Sequence, residues 1–182
     1  MSTITTHSIT EAADTPEITS GNWHLDPTRS SVEFHVPHFY GLMTVKGHFD
    51  RYQGTLNLEE RPALELTIDA DSLETKHGKR DAHLRSDEFF DVANHPHVRF
   101  VADTVTLHEG TLSARGELHA AGRHVPLNVE ATVRQVEGDF EVEATALVDH
   151  RELGMTWSPL GIMRAPSKLI VRGRLVNASG AQ

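Results

Sequence analysis

Apolar and polar residues alternate along most of this chain. Val32, Phe34 and Val36 flank Glu33 and His35, and Leu64, Leu66, Ile68 and Ala70 flank Glu65, Thr67 and Asp69. The same period of two recurs in Leu112, Ala114, Gly116 and Leu118, and in Val125, Leu127, Val129, Ala131 and Val133. It returns in Phe140, Val142, Ala144, Ala146 and Val148, and ends with Leu169, Val171 and Leu175. Such alternation sorts side chains onto two faces of a strand, one apolar and one wet. Residues 44–58 and 98–107 read as strands as well. Turn signals stand between them at Gly41, Gly54, Glu109-Gly110, Gly122 and Glu137-Gly138-Asp139. The pattern predicts about eight strands joined mostly by short turns.

One segment breaks the period. From Ser72 to Pro96 the alternation stops, and a charged stretch carries Leu84, Phe89 and Phe90 as its apolar residues. This predicts a short helical segment near residues 75–91, ending before Asn94-His95-Pro96. The fold class is therefore all-β and antiparallel, either a sandwich or an up-and-down barrel. Small inward positions on several strands (Ala70, Ala102, Ala114, Gly116, Ala131, Ala144, Ala146) favour an eight-stranded barrel with unfilled interior volume, since a packed core interleaves large and small residues. A core in which those alanines face large neighbours, leaving no cavity, stays open. The expected cavity wall is Phe34, Val36, Leu66, Ile68, Phe89, Phe90, Phe100, Leu118, Ala131, Phe140, Ala144 and Trp157. The clearest strands carry no charge on the inward parity, so any occupant should be apolar.

Composition narrows the partners. The 182 residues suit one domain, and a net charge of -9 argues against nucleic acid and anionic membrane surfaces. The chain has no cysteine, which excludes disulfides, thiolate nucleophiles and sulfur-ligated metals. Residues 1–21 are rich in Ser, Thr, Glu and Ala and read as a flexible tail, with the domain spanning 22–178. That tail lacks the basic start and apolar run of a secretion signal, so a cytoplasmic location is expected. No stretch is long and apolar enough for a membrane-spanning helix.

Candidate chemistry is sparse. There are 13 histidines, and His95 and His97 share a parity, but most surface histidines are solvated side chains. Asp149, His150 and Ser158 supply triad residue types without a spacing that makes a triad. No Gly-x-Ser-x-Gly elbow or phosphate loop occurs. Arg80, Asp81, His83 and Arg85 form the densest polar cluster, read as pinning the crossing segment rather than as catalytic. No catalytic residue, metal site or cofactor is expected.

Several ordered motifs carry a resemblance. They are Trp23-His24-Leu25-Asp26-Pro27, Val45-Lys46-Gly47-His48-Phe49, the long stretch Arg80 to Asp91 with its Arg-Asp-Ala-His-Leu-Arg-Ser-Asp-Glu-Phe-Phe-Asp, Gly116-Glu117-Leu118 leading to Gly122, and Arg151-Glu152-Leu153-Gly154. In this order they resemble the YceI-like family of polyisoprenoid-binding proteins, over roughly residues 22–176. The family usually has Asp at position 152. The resemblance implies a lipocalin-like barrel that binds, and carries or stores, an isoprenoid, a quinone or a fatty-acid-like amphiphile, and is not an enzyme. The competing reading is an enzyme or metal-binding stress protein that uses the barrel as scaffold. A third is an interaction domain whose barrel is filled by side chains. Pairing through an open barrel edge into a homodimer is also compatible with the pattern.

Overall fold

A computed structural model describes residues 20–38, 42–156 and 166–178. It contains eleven strands: β1 (Asn22–Leu25), β2 (Ser31–His38), β3 (Met43–Phe49), β4 (Tyr52–Asn57), β5 (Ala63–Asp69), β6 (Leu73–Glu74), β7 (His97–His108), β8 (Thr111–Ala120), β9 (Arg123–Val136), β10 (Asp139–Val148) and β11 (Ser167–Asn177). One helix, α1 (Gly78–Arg85), lies between β6 and β7. Eight strands close an antiparallel ring in the order β1-β4-β5-β7-β8-β9-β10-β11, with β11 returning to β1. The remaining three, β2, β3 and β6, form a wing outside the ring.

The wing exists because β11 forks. Its residues 168–172 pair with β2, and Leu175–Asn177 pair with β1. The chain crosses from β1 to β2 through a 3-10 turn at Pro27–Arg29, which Asp26 caps by accepting Thr28 N at 2.9 Å. Gly173 sits at the fork because a Cβ there would lie 2.4 Å from Leu25 Cδ1 and 2.6 Å from Ser30 Oγ. The Trp-x-x-Asp-Pro opening is thus a turning device. Burying Trp23 anchors it, and Arg29 Nε holds the Asp26 carboxylate at 2.7 Å.

The long hairpins follow from their loops. Glu109-Gly110, Ala121-Gly122 and Glu137-Gly138 all have positive φ at both positions, as a two-residue type I′ turn requires. Alternation then places the apolar faces of β7 to β10 inside. One step interrupts it: the β7–β8 register shifts between Ala102 and Thr104. This bulge moves the inward set of β7 from Val98, Phe100 and Ala102 to Val105. Opposite the bulge stands Gly116, where a Cβ would be 2.0 Å from the Val101 carbonyl oxygen. The outer face is wet and carries exposed ion pairs such as Arg99–Glu65 at 2.6 Å, each worth little.

The expected helical segment is present as α1 followed by turns to Thr104's strand. The count of strands exceeds eight by three: β1 and β6, four and two residues long, are too short to show alternation, and the expected strand 44–58 is two, β3 and β4, parted at Asp50-Arg51, with Gly54 inside β4 and not at a turn.

Candidate ligand-binding cavities

Two voids lie end to end inside the barrel, each of about 100 Å³. The first lies within the ring, between inward residues of β9, β10 and β11 on one side and β5 and β7 on the other. The second lies under the crossing segment, between the wing, α1 and the inward ends of β7, β8 and β10. Leu169 of β11 is the one residue that lines both. Its direct cross-strand neighbour, Phe34, lines the second void. Phe100 and Leu118 are likewise opposed, the first facing the ring void and the second the helix-end void.

Local packing explains the wall. Gly47 lets Phe34 lie flat across β3, since a Cβ there would be 2.3 Å from the ring. Phe34 then tilts against Phe49 at 5.3 Å between centroids, and Phe49 meets Phe90 edge-on at 6.0 Å. The Val-x-Gly-x-Phe motif therefore builds one aromatic side of the helix-end void. The opposite end of the barrel is closed by Trp23 against Phe140, 4.4 Å apart.

The cover of the helix-end void is held by side chains bonded to backbone. Asp81, only 7% exposed, accepts Thr75 N at 3.0 Å and Thr75 Oγ1 at 2.5 Å. Arg80 donates to Thr75 Oγ1 at 2.7 Å and to Thr75 O at 2.9 Å. Arg85 donates to Leu73 O at 2.6 Å and Asp71 O at 3.0 Å. These bonds tie α1 to β6 and hold Leu84, Phe89 and Phe90 over the void.

Polar side chains border both voids: Thr55 and Glu65 the ring void, and His150, Ser167 and Lys168 the helix-end void. His150 is buried and its Nδ1 lies 3.0 Å from Ser167 Oγ, with Lys168 beside them. Burial holds the His150 imidazole below its ordinary pKa, against the pull of Asp149. Asp149 itself is bonded to Arg151, at 2.9 Å to Nε, which lowers its carboxyl to about 2. His150 Nδ1 thus faces Ser167 and the Asp149 carboxylate faces Arg151, without the carboxylate–imidazole bond of a catalytic triad, and Ser158 lies outside the described residues.

The residues expected at the wall divide as follows. Leu66, Phe100, Ala131 and Ala144 border the ring void. Phe34, Val36, Ile68, Phe89, Phe90 and Leu118 border the helix-end void. Phe140 borders neither, because it is seated against Trp23. Trp157 lies outside the described residues. The small inward residues also divide. Ala131, Ala144 and Ala146 border the ring void, while Ala102 and Gly116 face each other at the bulge, where backbone approach, and no cavity, demands smallness. Sequence reasoning passed over His150 and Ser167 as wall residues. Both were within reach: the inward parity of β10 runs one step past Val148 to His150, and Val148 pairs with Ser167. Among the described residues, no helix is long and apolar enough to cross a membrane.

Comparison with known proteins agrees with this architecture. Among solved structures, BcnA of Burkholderia cenocepacia superposes with a TM-score of 0.75 at 14% identity, covering 84% of this chain and 99% of that one. A domain from Saccharophagus degradans described as polyisoprenoid-binding gives 0.71 at 14% identity, covering 87% and 99%. The YceI protein of Campylobacter jejuni gives 0.60 at 21% identity, covering 75% and 86%. At these identities the likeness is one of fold. Protein YceI of Salmonella arizonae is 33% identical over 104 residues, 55% of this chain and 54% of that protein, so the chain matches about half the length of that curated relative. The family model of the YceI-like domain matches residues 23–172, from Trp23 of β1 into β11, and the chain belongs to the YceI-like family.

Proposed function

We propose that the barrel binds a long apolar molecule, an isoprenoid, quinone or similar amphiphilic lipid, and carries or stores it. The observation that supports this reading is the pair of apolar voids in line along the barrel, with the hydrogen-bonded pair His150 and Ser167, and Lys168, bordering the helix-end void. A tail lies along both voids and a polar head group rests at the helix end. The polyisoprenoid-binding description of the Saccharophagus domain supports the ligand class.

Magnitudes constrain the ligand. Each buried CH₂ contributes about 0.8 kcal/mol, so an isoprene unit contributes roughly 3–4. Non-covalent affinity saturates near 18–21 kcal/mol, so tail length beyond several units adds fit rather than strength. Neither void of about 100 Å³ holds a chain of many units by itself. A long tail has to run past Leu169, which borders both, and join the two. Mass spectrometry of an organic extract from the purified protein tests the reading. A bound long-chain lipid supports it, and a protein that carries none and takes up none from added polyprenol or quinone overturns it.

The wing leaves residues Met43 to Gly47 of β3 without a strand partner on one side among the described residues, because β6 pairs only with His48 and Phe49. We propose this edge as the place where a homodimer would form. Light scattering at rising concentration distinguishes the monomer from the dimer.

A further inference from the structure

The junction of β3, the β3–β4 turn and β6 gathers three donors on the outer face. Phe49 points inward and is 4% exposed, so its neighbours His48 and Asp50 both point outward. Leu73, directly opposite Phe49, is fully buried, and Glu74 beside it is the cross-strand partner of His48. Parity and register alone therefore bring an imidazole and two carboxylates together. His48 Nε2 stands 3.2 Å from Asp50 Oδ1 and 3.9 Å from Glu74 Oε2. The three donor atoms all lie within 4.8 Å of one another.

We propose that His48, Asp50 and Glu74 form a binding site for a divalent transition ion of the zinc type. The spacing fits. Two ligand atoms, each about 2.1 Å from one ion and at a tetrahedral angle, stand roughly 3.4 Å apart, between the two distances observed here. The charges fit as well. Among the described residues, no lysine or arginine comes within ion-pair distance of Asp50 or Glu74, and the neighbouring Arg51 is turned to Asp69 and Asp71, at 2.8 and 3.9 Å. Two carboxylates thus converge on one imidazole without a cation of their own. An imidazole nitrogen with two carboxylate oxygens suits zinc or a similar borderline ion, where calcium and magnesium take oxygen alone.

The frame is rigid. Ser72 O accepts Asp50 N at 3.2 Å and Ser72 Oγ accepts Arg51 N at 3.0 Å, so the turn is fixed to the segment that leads into β6. The surface around the site is concave and shared with Lys46, Lys76 and Tyr52, leaving the fourth position open to water or to a donor from outside. An ion here ties β6 to the end of β3, the edge from which the wing would peel.

Isothermal titration of the full chain with zinc chloride tests this, with cobalt as the spectroscopic probe. The expected result is one equivalent bound by the unmodified protein, with affinity at least tenfold weaker in His48→Ala and in Glu74→Gln. Cobalt should give a visible ligand-field band that either substitution removes, and zinc should raise the melting temperature of the unmodified protein only. A control, His97→Ala, should bind as the parent does. Both substituted side chains are solvent-accessible, so folding survives, and if one variant fails to fold the other decides. Equal zinc affinity in the parent and in a folded variant, or no binding by the parent, overturns the proposal.

Discussion

The ring end and the helix end of the barrel are closed by different kinds of bond. In the ring, backbone ladders run through β7 to β11 with a bulge between Ala102 and Thr104, tight two-residue loops join β7 to β10, and Trp23 packs on Phe140 beneath. At the helix end the cover is a crossing segment held by a few side chains: Asp81 and Arg80 on Thr75, and Arg85 on Leu73 and Asp71. A ladder fails only with the sheet, whereas a latch of side-chain bonds opens by itself. The difference places the sturdier closure at the ring end and the one that opens locally at the helix end. On the proposed function, a ligand would enter under α1, past His150 and Lys168, with its tail toward the closed floor.

Truncating the ring core should cost most. Leu112 is 1% exposed and sits opposite Ala131 on β9. Leu112→Ala should destabilise the whole domain by about 2–5 kcal/mol, seen as a loss of the denaturation midpoint with all probes coincident. If instead the helix end melts first and the ring is unaffected, the two ends are not supported as described.

Releasing the latch should cost less and act on the other end. Asp81→Ala removes the acceptor from Thr75 N and Thr75 Oγ1, a loss of about 1.5–3 kcal/mol for bonds to a charged group. Amide exchange should quicken in residues 73–95 more than in β8 and β9, and bound lipid should leave faster. Asp81→Asn, which keeps an acceptor, should restore much of both. Uniform exchange across the molecule would remove the contrast between the ends.

The same contrast decides what could be read from sequence. Phe34, Leu66, Phe100 and Ala144 were legible because period two is a local rule that survives into three dimensions. The three hairpins were legible because Gly110, Gly122 and Gly138 occupy positions that need positive φ. The helix end was legible only as a break in the pattern. Its bonds join Arg85 to Leu73 and Asp81 to Thr75 across turns with no period. Phe140 misled because inward parity says which face a side chain takes, not whether it meets a void or another ring. The bulge at Asp103 was invisible for the same reason: one extra residue reverses parity without changing composition. The division into two voids, with Leu169 at the border of both, depends on which facing side chains are long enough to meet, and alternation carries no such measure.

Filling the ring void should change ligand content with little change in stability. Ala144 lies half-buried at that void, opposite Ala131 on β9 and Val171 on β11. Ala144→Phe can project its ring into space that the tail would take. The expected outcome is loss of extractable lipid with a change below about 1 kcal/mol in unfolding free energy, since overpacking costs about 1–3 where no space exists. A strongly depressed melt together with an empty parent protein would mean that the ring is packed solid.

The smallest effect concerns pH and separates the ends once more. Burial holds His150 below its ordinary pKa of 6.5, so the unfolded chain takes up a proton near neutrality that the native protein refuses. The sign follows directly. The native state is favoured in full above about pH 6.5, and that advantage is lost as pH falls through the lower native value. Asp26 and Asp149, whose carboxyls lie at about 2 against an ordinary 3.8, add a separate loss confined to the interval between those values. Between about pH 7.5 and 5, where carboxylates stay ionised, His150 can therefore be isolated by substitution. His150→Gln keeps a polar group beside Ser167 and removes the titration. Its melting temperature should fall less than the parent's over that interval, and the protection of amides near Leu153 and Met155, which line the same void, should change least. Identical pH profiles for the two proteins would show that protonation at the helix end is not coupled to folding. A flatter profile in the variant would make the helix end the acid-sensitive part of the barrel, and lipid release on mild acidification should then follow the parent's profile rather than the variant's.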